Sequence, residues 1–68
     1  MATIYQKLGQ NIKKYRKKIG ITQEKLAELA RIDPKSIIQI ENGKRNPSLK
    51  TISKISRSLN VKTQELLD

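Results

Sequence analysis

The stretch ITQEKLAELARIDPKSIIQIENGKRNPSL, residues 21–49, decides the fold. Thr22 is a good helix-capping residue, and apolar residues follow it at helical spacing. Asp33 with Pro34 is a strong signal for a new helix start, because an N-cap side chain precedes a proline in the first turn. Gly43 marks the next stop. The stretch therefore predicts two short helices joined by a tight turn.

The rest of the chain also has helical periodicity, and no segment alternates as a strand would. Thr3 and Gln6 form a capping-box pattern, and Gly20 marks the end of the helix that they begin. The predicted fold class is all-α with five helices, in a single domain of residues 1–68. The helices outside the deciding stretch are predicted at Ile4 to about Lys18, from the cap Ser48 to Asn60, and near Thr63 to Leu67.

The apolar residues predict which side of each helix faces the core. Residues three and four apart lie on one helix face, so each helix has one apolar stripe. The predicted core positions are Ile4, Leu8, Ile12, Tyr15 and Ile19, then Leu26, Ala27, Leu29 and Ala30, then Ile37 and Ile40, and finally Leu49, Ile52, Ile55 and Leu59.

Charge is the strongest feature of the composition. Lys and Arg number 15 against 6 acidic residues, which gives a formal net charge of +9. An excess of this size favours a polyanionic partner, with nucleic acid first and an anionic membrane second. Only 3% of the residues are aromatic, and proteins that stack single-stranded bases need more. Double-stranded DNA is therefore the expected partner.

The residues that most catalytic and metal sites need are missing from the composition. The chain has no His and no Cys, so it has no disulfide, no thiolate ligand and no usual zinc pairing. We expect no enzyme activity, no metal and no cofactor. No apolar stretch is long enough for a membrane span or a signal peptide, and we expect no membrane partner and a cytoplasmic, nucleoid-associated location.

Residues 21–49 resemble the lambda repressor/Cro-like (Xre) helix-turn-helix family, and the resemblance extends from Leu8 to Leu67. Gln23 opens the unit, Ala27 is small where two helices cross, and IENGKRNPS and LNVKTQELL match the segments that follow. The resemblance implies a lambda repressor-like domain in which the second and third helices form the helix-turn-helix. One position differs: Arg31 stands where the family often has Gly, and a left-handed Arg there would cost on the order of 1 kcal/mol.

The outward side of the third helix is the candidate surface for reading bases, because burial of Ile37 and Ile40 would leave it exposed. Gln39 can bond bidentately to adenine, and Lys35 can contact either guanine or a phosphate. Ile38 fits a thymine methyl group or the edge of the core equally well. The predicted base contacts are Lys35, Ser36, Ile38 and Gln39.

Phosphate contacts are predicted on both sides of this helix. Thr22, Gln23 and Ser48 lie at helix N-termini, where backbone N–H groups and the helix dipole attract anions. The family resemblance implies further backbone contacts at Asn42, Lys44 and Arg45.

Two other charged features have different interpretations. The run from Lys13 to Lys18 spreads around the solvent side of the first helix, so a solvated face explains it better than a DNA contact. The resemblance implies that Arg16 pairs with Glu41 and ties the first helix to the end of the third.

The resemblance implies a sequence-specific transcriptional regulator, of repressor type, that binds a palindromic operator as a homodimer. Val61, Leu66 and Leu67 are candidates for the dimer surface, and core packing is their alternative role. A restriction-modification controller, a phage repressor, an antitoxin or the N-terminal part of a longer repressor would all fit. The alternative is a protein-interaction module, of coactivator or antitoxin type, on the same fold.

Overall fold

The computed structural model describes residues 3–68, which form five α-helices. Met1 and Ala2, at the start of the predicted 1–68 domain, lie outside the described residues. No β-strand occurs between Thr3 and Asp68, and the all-α prediction is confirmed. The helices are α1 (Ile4–Lys18), α2 (Gln23–Ala30), α3 (Pro34–Glu41), α4 (Leu49–Leu59) and α5 (Thr63–Leu67).

Side-chain caps begin the first four helices as predicted. The Thr3 hydroxyl accepts the Gln6 N–H at 3.1 Å, and the Gln6 side chain accepts the Thr3 N–H at 2.9 Å. Thr22, Asp33 and Ser48 each accept one backbone N–H of the helix that follows. Each cap satisfies a helix N–H that has no partner within the helix, which fixes where the helix starts.

The core lies where all five helices meet, and Ile and Leu side chains dominate it. Tyr15, Ile21, Ile32 and Val61 pack around its edge. The buried core residues are Leu8, Ile12, Leu26, Ala27, Ala30, Ile37, Ile40, Ile52, Ile55, Leu59 and Leu66.

Four of the predicted core positions are wrong. Ile4 is 62% exposed and Ile19 is 49% exposed, although both lie on the predicted stripe of α1 or directly after it. α1 has 15 residues and is about 22 Å long, whereas α3 and α5, which pack on it, have 8 and 5 residues. Its ends therefore extend beyond its partners. Leu29 and Leu49 are also exposed, Leu29 beside the buried stripe of α2 and Leu49 at the first turn of α4.

Gly9 lets α1 approach the end of α3 closely. A Cβ at this position would lie well inside van der Waals contact of the Ile40 carbonyl oxygen and 2.5 Å from the Glu41 carbonyl oxygen. Both atoms belong to the backbone and cannot move aside as a flexible side chain would. The absence of a side chain at Gly9 therefore sets the distance between the two helices.

The turn between α2 and α3 is left-handed at Arg31, with φ 56° and ψ 50°. The Arg31 N–H bonds to the Glu28 carbonyl, and the Ile32 N–H bonds to the Ala27 carbonyl at 2.9 Å. These two bonds close a Schellman motif, so the turn keeps its geometry without glycine. The backbone cost of about 1 kcal/mol that the sequence predicts applies here.

Asn11 ties α1 to α5. Its side-chain amide donates to the carbonyl oxygens of Leu66 at 2.9 Å and Asp68 at 3.0 Å. The Leu66 carbonyl lies in the last turn of α5 and Asp68 is its C-cap, so neither oxygen has a partner within the helix. One side chain on α1 thus caps a helix more than fifty positions later in the chain.

Candidate nucleic-acid interface

The rotation of α3 decides which of its side chains face solvent. Ile37 and Ile40 are fully buried, which turns the opposite side of the helix outward. Lys35 and Gln39 are exposed, Ile38 is 42% exposed and Ser36 is half-buried. We call the surface formed by Lys35, Ser36, Ile38 and Gln39 the reading face.

A buried ion pair fixes α3 against α1. The Arg16 Nε donates to Glu41 Oε2 at 2.7 Å, and its Nη2 donates to Glu41 Oε1 at 3.1 Å. Arg16 Nη1 also donates to the Ile21 carbonyl at 2.8 Å. The pair that the resemblance implies is therefore present, with the bidentate geometry that makes Arg–carboxylate contacts strong.

The Gln23 side chain has a structural role that the sequence did not predict. Its Nε2 donates to Glu41 Oε1 at 3.1 Å, so the side chain is half-buried and completes the bonds to the carboxylate. Every buried side-chain N and O atom between residues 3 and 68 has a partner. The predicted phosphate contact through the backbone N–H groups at the start of α2 stays a prediction, while the Gln23 side chain helps to position the end of α3.

The loop after α3 folds back over the reading face. Gly43 is left-handed, with φ 71°, and its N–H bonds to the Ile40 carbonyl at 3.1 Å, while the Lys44 N–H bonds to the Gln39 carbonyl at 3.0 Å. These bonds also form a Schellman motif, which reverses the chain direction. Asn42 and Lys44 remain exposed beside the end of α3.

Arg45, which follows this reversal, reaches the reading face. Its Nη1 donates to Ser36 Oγ at 2.9 Å and to Gln39 Oε1 at 3.2 Å. Sequence reasoning predicted a phosphate contact here and missed the link to the two predicted base readers. The signal for it was Gly43, because a left-handed stop brings the next residues back along the helix.

The N-termini of α2 and α4, where phosphate contacts are predicted, differ in charge. The hydroxyls of Thr22 and Ser48 are occupied as caps, so an anion would meet the remaining backbone N–H groups. Glu24 lies in the first turn of α2, whereas the first turn of α4 has no acidic residue and contains Lys50. The start of α4 is therefore the more favourable of the two for phosphate.

The basic run of α1 lies away from the core. Lys13, Lys14, Lys17 and Lys18 are all exposed, and Lys14 Nζ lies 5.3 Å from the centre of the Tyr15 ring. This placement agrees with a solvated face.

The structure separates the three candidates for the dimer surface. Leu66 is fully buried in the core, because α5 packs it against α1 and α4, and its prediction as a dimer contact is wrong. Val61 is half-buried at the edge of the core, and Leu67 is 39% exposed. Of the three candidates, only Val61 and Leu67 have surface that a second copy could contact.

Neither a metal cluster nor a membrane span is found in the described part of the chain. Residues 3–68 contain no group of three or more His, Cys, Asp or Glu side chains placed to hold a metal ion. None of the five helices combines the length and the apolar character needed to cross a bilayer.

Comparisons with known proteins all point to the helix-turn-helix family. The helix-turn-helix family model matches residues 12–66. An uncharacterized HTH-type transcriptional regulator of Archaeoglobus fulgidus is 42% identical over 55 residues, which are 81% of this chain and 78% of that protein. The control protein C.BamHI of Bacillus amyloliquefaciens is 43% identical over 61 residues, 88% of this chain and 75% of that protein.

Solved structures have the same arrangement of helices. The restriction-modification controller protein C.AhdI of Aeromonas hydrophila superposes with a TM-score of 0.89 at 35% identity, over 91% of this chain and 94% of that one. The biofilm regulator SinR, solved in complex with DNA, gives 0.86 at 39% identity, over 90% and 98%. The controller protein C.Esp1396I, solved as a tetramer on its 35-base-pair operator, gives 0.84 at 30% identity, with full coverage of both chains.

Proposed function

The chain belongs to the helix-turn-helix family, of the lambda repressor/Cro type, and we propose that it is a transcriptional regulator that binds specific double-stranded DNA sequences. The family membership makes the chain a binding protein and not an enzyme. We propose that residues 1–68 act as one domain, which represses by occupying a palindromic operator. A protein of this function works where chromosomal DNA lies, so we assign it to the nucleoid in the cytoplasm.

One observation carries this proposal: α3 is held with its reading face outward. Two fully buried isoleucines set its rotation, and the Arg16–Glu41 pair fixes its end. An exposed, rigidly mounted helix of eight residues fits the major groove of B-DNA. We propose that Lys35, Ser36, Gln39 and Ile38 face base edges.

The charge distribution supports phosphate contacts around that helix. Lys44 and Arg45 follow α3, and no acidic residue lies between Asn42 and Lys62. We propose phosphate contacts at the backbone start of α2 (Thr22 and Gln23), in the loop (Asn42, Lys44 and Arg45) and at Ser48. The net charge of +9 would draw the domain to DNA before any specific contact forms.

The experiment that tests this function is a selection of bound sequences from a random duplex pool, followed by affinity measurements at several salt concentrations. We expect a defined sequence to be enriched and its affinity to fall with salt, with a log–log slope of about −0.9 per phosphate contacted. Gln39→Ala should lose preference at one or two base pairs, at a cost of about 1–3 kcal/mol.

Lys44→Ala is the matched control, because it removes a neighbouring, exposed cation and leaves the backbone bond to the Gln39 carbonyl in place. It should weaken binding to all duplexes alike and reduce the salt slope by about 1. If the chain enriches no sequence even at concentrations where it is dimeric, the proposal fails, and the protein-interaction alternative takes its place.

We also propose that two copies bind together through α5. A single domain covers too little DNA for tight specific binding, and two copies on a two-fold site would place their recognition helices about 34–36 Å apart. Each domain measures 30 × 21 × 21 Å, so two fit side by side at that spacing. Of the three candidate residues, Val61, just before α5, and Leu67, at its end, keep exposed apolar surface for this contact.

Leu67→Lys should shift the protein from dimer to monomer, because a lysine there would have to be desolvated at the contact. Light scattering over a concentration series measures this shift. Leu29→Lys is the control, since it adds the same charge at an exposed leucine on α2. Equal effects of the two substitutions, or none from Leu67→Lys, would rule out the α5 contact.

A further inference from the structure

Arg45 lies across the two polar side chains that are proposed to read bases. One of its terminal nitrogens donates to both Ser36 Oγ and Gln39 Oε1, at 2.9 Å and 3.2 Å. No carboxylate within the described residues lies within ion-pair distance of Arg45, since the ion pairs there join Arg16 to Glu41 and Lys25 to Glu28. Neutral oxygens of the reading face are therefore its side-chain partners.

We propose that Arg45 is a positioning residue that turns the Gln39 amide so that the reading face selects guanine over adenine. The proposal rests on the proposed function, and it sharpens which base Gln39 recognises. It replaces the contact of Gln39 with adenine that the sequence alone predicts.

The orientation of the Gln39 amide follows from the chemistry of its partner. A guanidinium carries five N–H donors and has no acceptor, so the amide must turn its oxygen toward Arg45. The Gln39 NH₂ group is then directed away from Arg45. The Ser36 hydroxyl is constrained in the same way, because its oxygen accepts from Arg45 and its own hydrogen is left to donate.

The reading face, together with Arg45, consequently presents hydrogen-bond donors. Gln39 offers N–H groups, Ser36 offers O–H, Lys35 offers an ammonium group, and Arg45 keeps its remaining N–H groups. In the major groove guanine presents two adjacent acceptors, N7 and O6, whereas adenine presents N7 beside the N6 donor. Two neighbouring donors on the protein can therefore both bond to guanine. Against adenine, one of the two would face the N6 donor.

The backbone holds Arg45 in this place. The Schellman motif at Gly43 fixes the chain reversal, and Pro47, two residues after Arg45, is buried. Arg45 is among the residues that line a cavity of about 240 Å³ between α3 and the start of α4, together with Ser36, Ser48 and Thr51. The contact thus depends on a loop anchored at both ends.

The test compares base preference in the wild-type chain and in Arg45→Ala. The base pair read by Gln39 is first located as the one at which Gln39→Ala loses preference. At that pair the wild-type chain should prefer guanine to adenine by about 5- to 150-fold, the range expected for one bidentate contact. In Arg45→Ala the amide is free to bond bidentately to adenine, so the preference should shift toward adenine.

Lys44→Ala serves as the control in the same competition. It removes a positive charge next to Arg45 and keeps the backbone bond from the Lys44 N–H to the Gln39 carbonyl, so guanine should stay preferred while all affinities fall. Adenine as the preferred base of the wild-type chain would overturn the inference. An Arg45→Ala variant that binds more weakly with its guanine preference intact would overturn it as well. Either result would leave the proposed function standing, which fails only if no sequence is selected.

Discussion

Gly9→Ala is expected to destabilise the fold and to lower its melting temperature by about 4–8 °C for each kcal/mol lost. Helix propensity alone would predict a gain in stability, because alanine stabilises a helix interior by about 1 kcal/mol relative to glycine. The new Cβ would collide with the carbonyl oxygens of Ile40 and Glu41, and the third nearest atom is the Glu41 carbonyl carbon. Overpacking of this kind costs about 1–3 kcal/mol or more, because α1 and α3 must separate.

This loss is large relative to the net stability of a chain of this size. A core of 68 residues supplies a net stability of about 3–5 kcal/mol. Circular dichroism during heating measures the change, and Gln10→Ala is the control, since it alters the next, exposed position of the same helix. A Gly9→Ala variant that melts at or above the wild-type temperature would show that the two helices do not pack as described.

Arg16→Ala is expected to destabilise the fold by about 3–5 kcal/mol, because it leaves the Glu41 carboxylate buried without its cation. Glu41 is buried, and after the substitution only the Gln23 amide would still donate to it from a side chain. Each kcal/mol corresponds to about 4–8 °C for a domain of this size. Because this loss is as large as the net stability of about 3–5 kcal/mol, the variant should be largely unfolded at room temperature, which circular dichroism with thermal or urea unfolding measures.

Two further variants separate the buried charge from the loss of packing. Arg16→Met with Glu41→Leu removes both charges and keeps apolar volume, so it should recover most of the stability. Lys25→Ala removes one partner of the exposed pair with Glu28, whose nitrogen and oxygen lie 3.5 Å apart, and should change stability by less than about 0.5 kcal/mol. If Arg16→Ala is as mild as Lys25→Ala, the pair contributes little to the fold.

Much of the candidate site could be predicted because its determinants are local. The pattern Asp33–Pro34 starts α3, and the spacing of Ile37 and Ile40 fixes which side of it faces the core. Lys35 and Gln39 are then outward by helix geometry alone. At Arg31 the family resemblance, rather than a local pattern, indicates a position where glycine is common, and the backbone there is left-handed.

The contacts of Gln23 and Arg45 could not be predicted in this way. Both side chains are polar and lie at the ends of elements, and their sequence neighbours do not limit which group they reach. Gln23 meets Glu41 because α2 and α3 both pack beside it, and Arg45 meets Gln39 because the loop turns back. Leu66 and Leu67 are neighbouring residues of the same type, and only the docking of α5 buries one and exposes the other.

The sequence by itself determined the five helices, the caps of the first four and the outward side of α3, since each depends on residues within a few positions of one another. The tertiary structure alone decided that Gly9 must lack a side chain, that the ends of α1 stay exposed, and that Arg45 orients the Gln39 amide. These outcomes depend on backbone and side-chain atoms from segments distant in the chain, as in the bonds between Arg16 and Glu41 across 25 positions. The periodicity of a helix specifies a direction for each side chain, but only the packed neighbours decide what lies there.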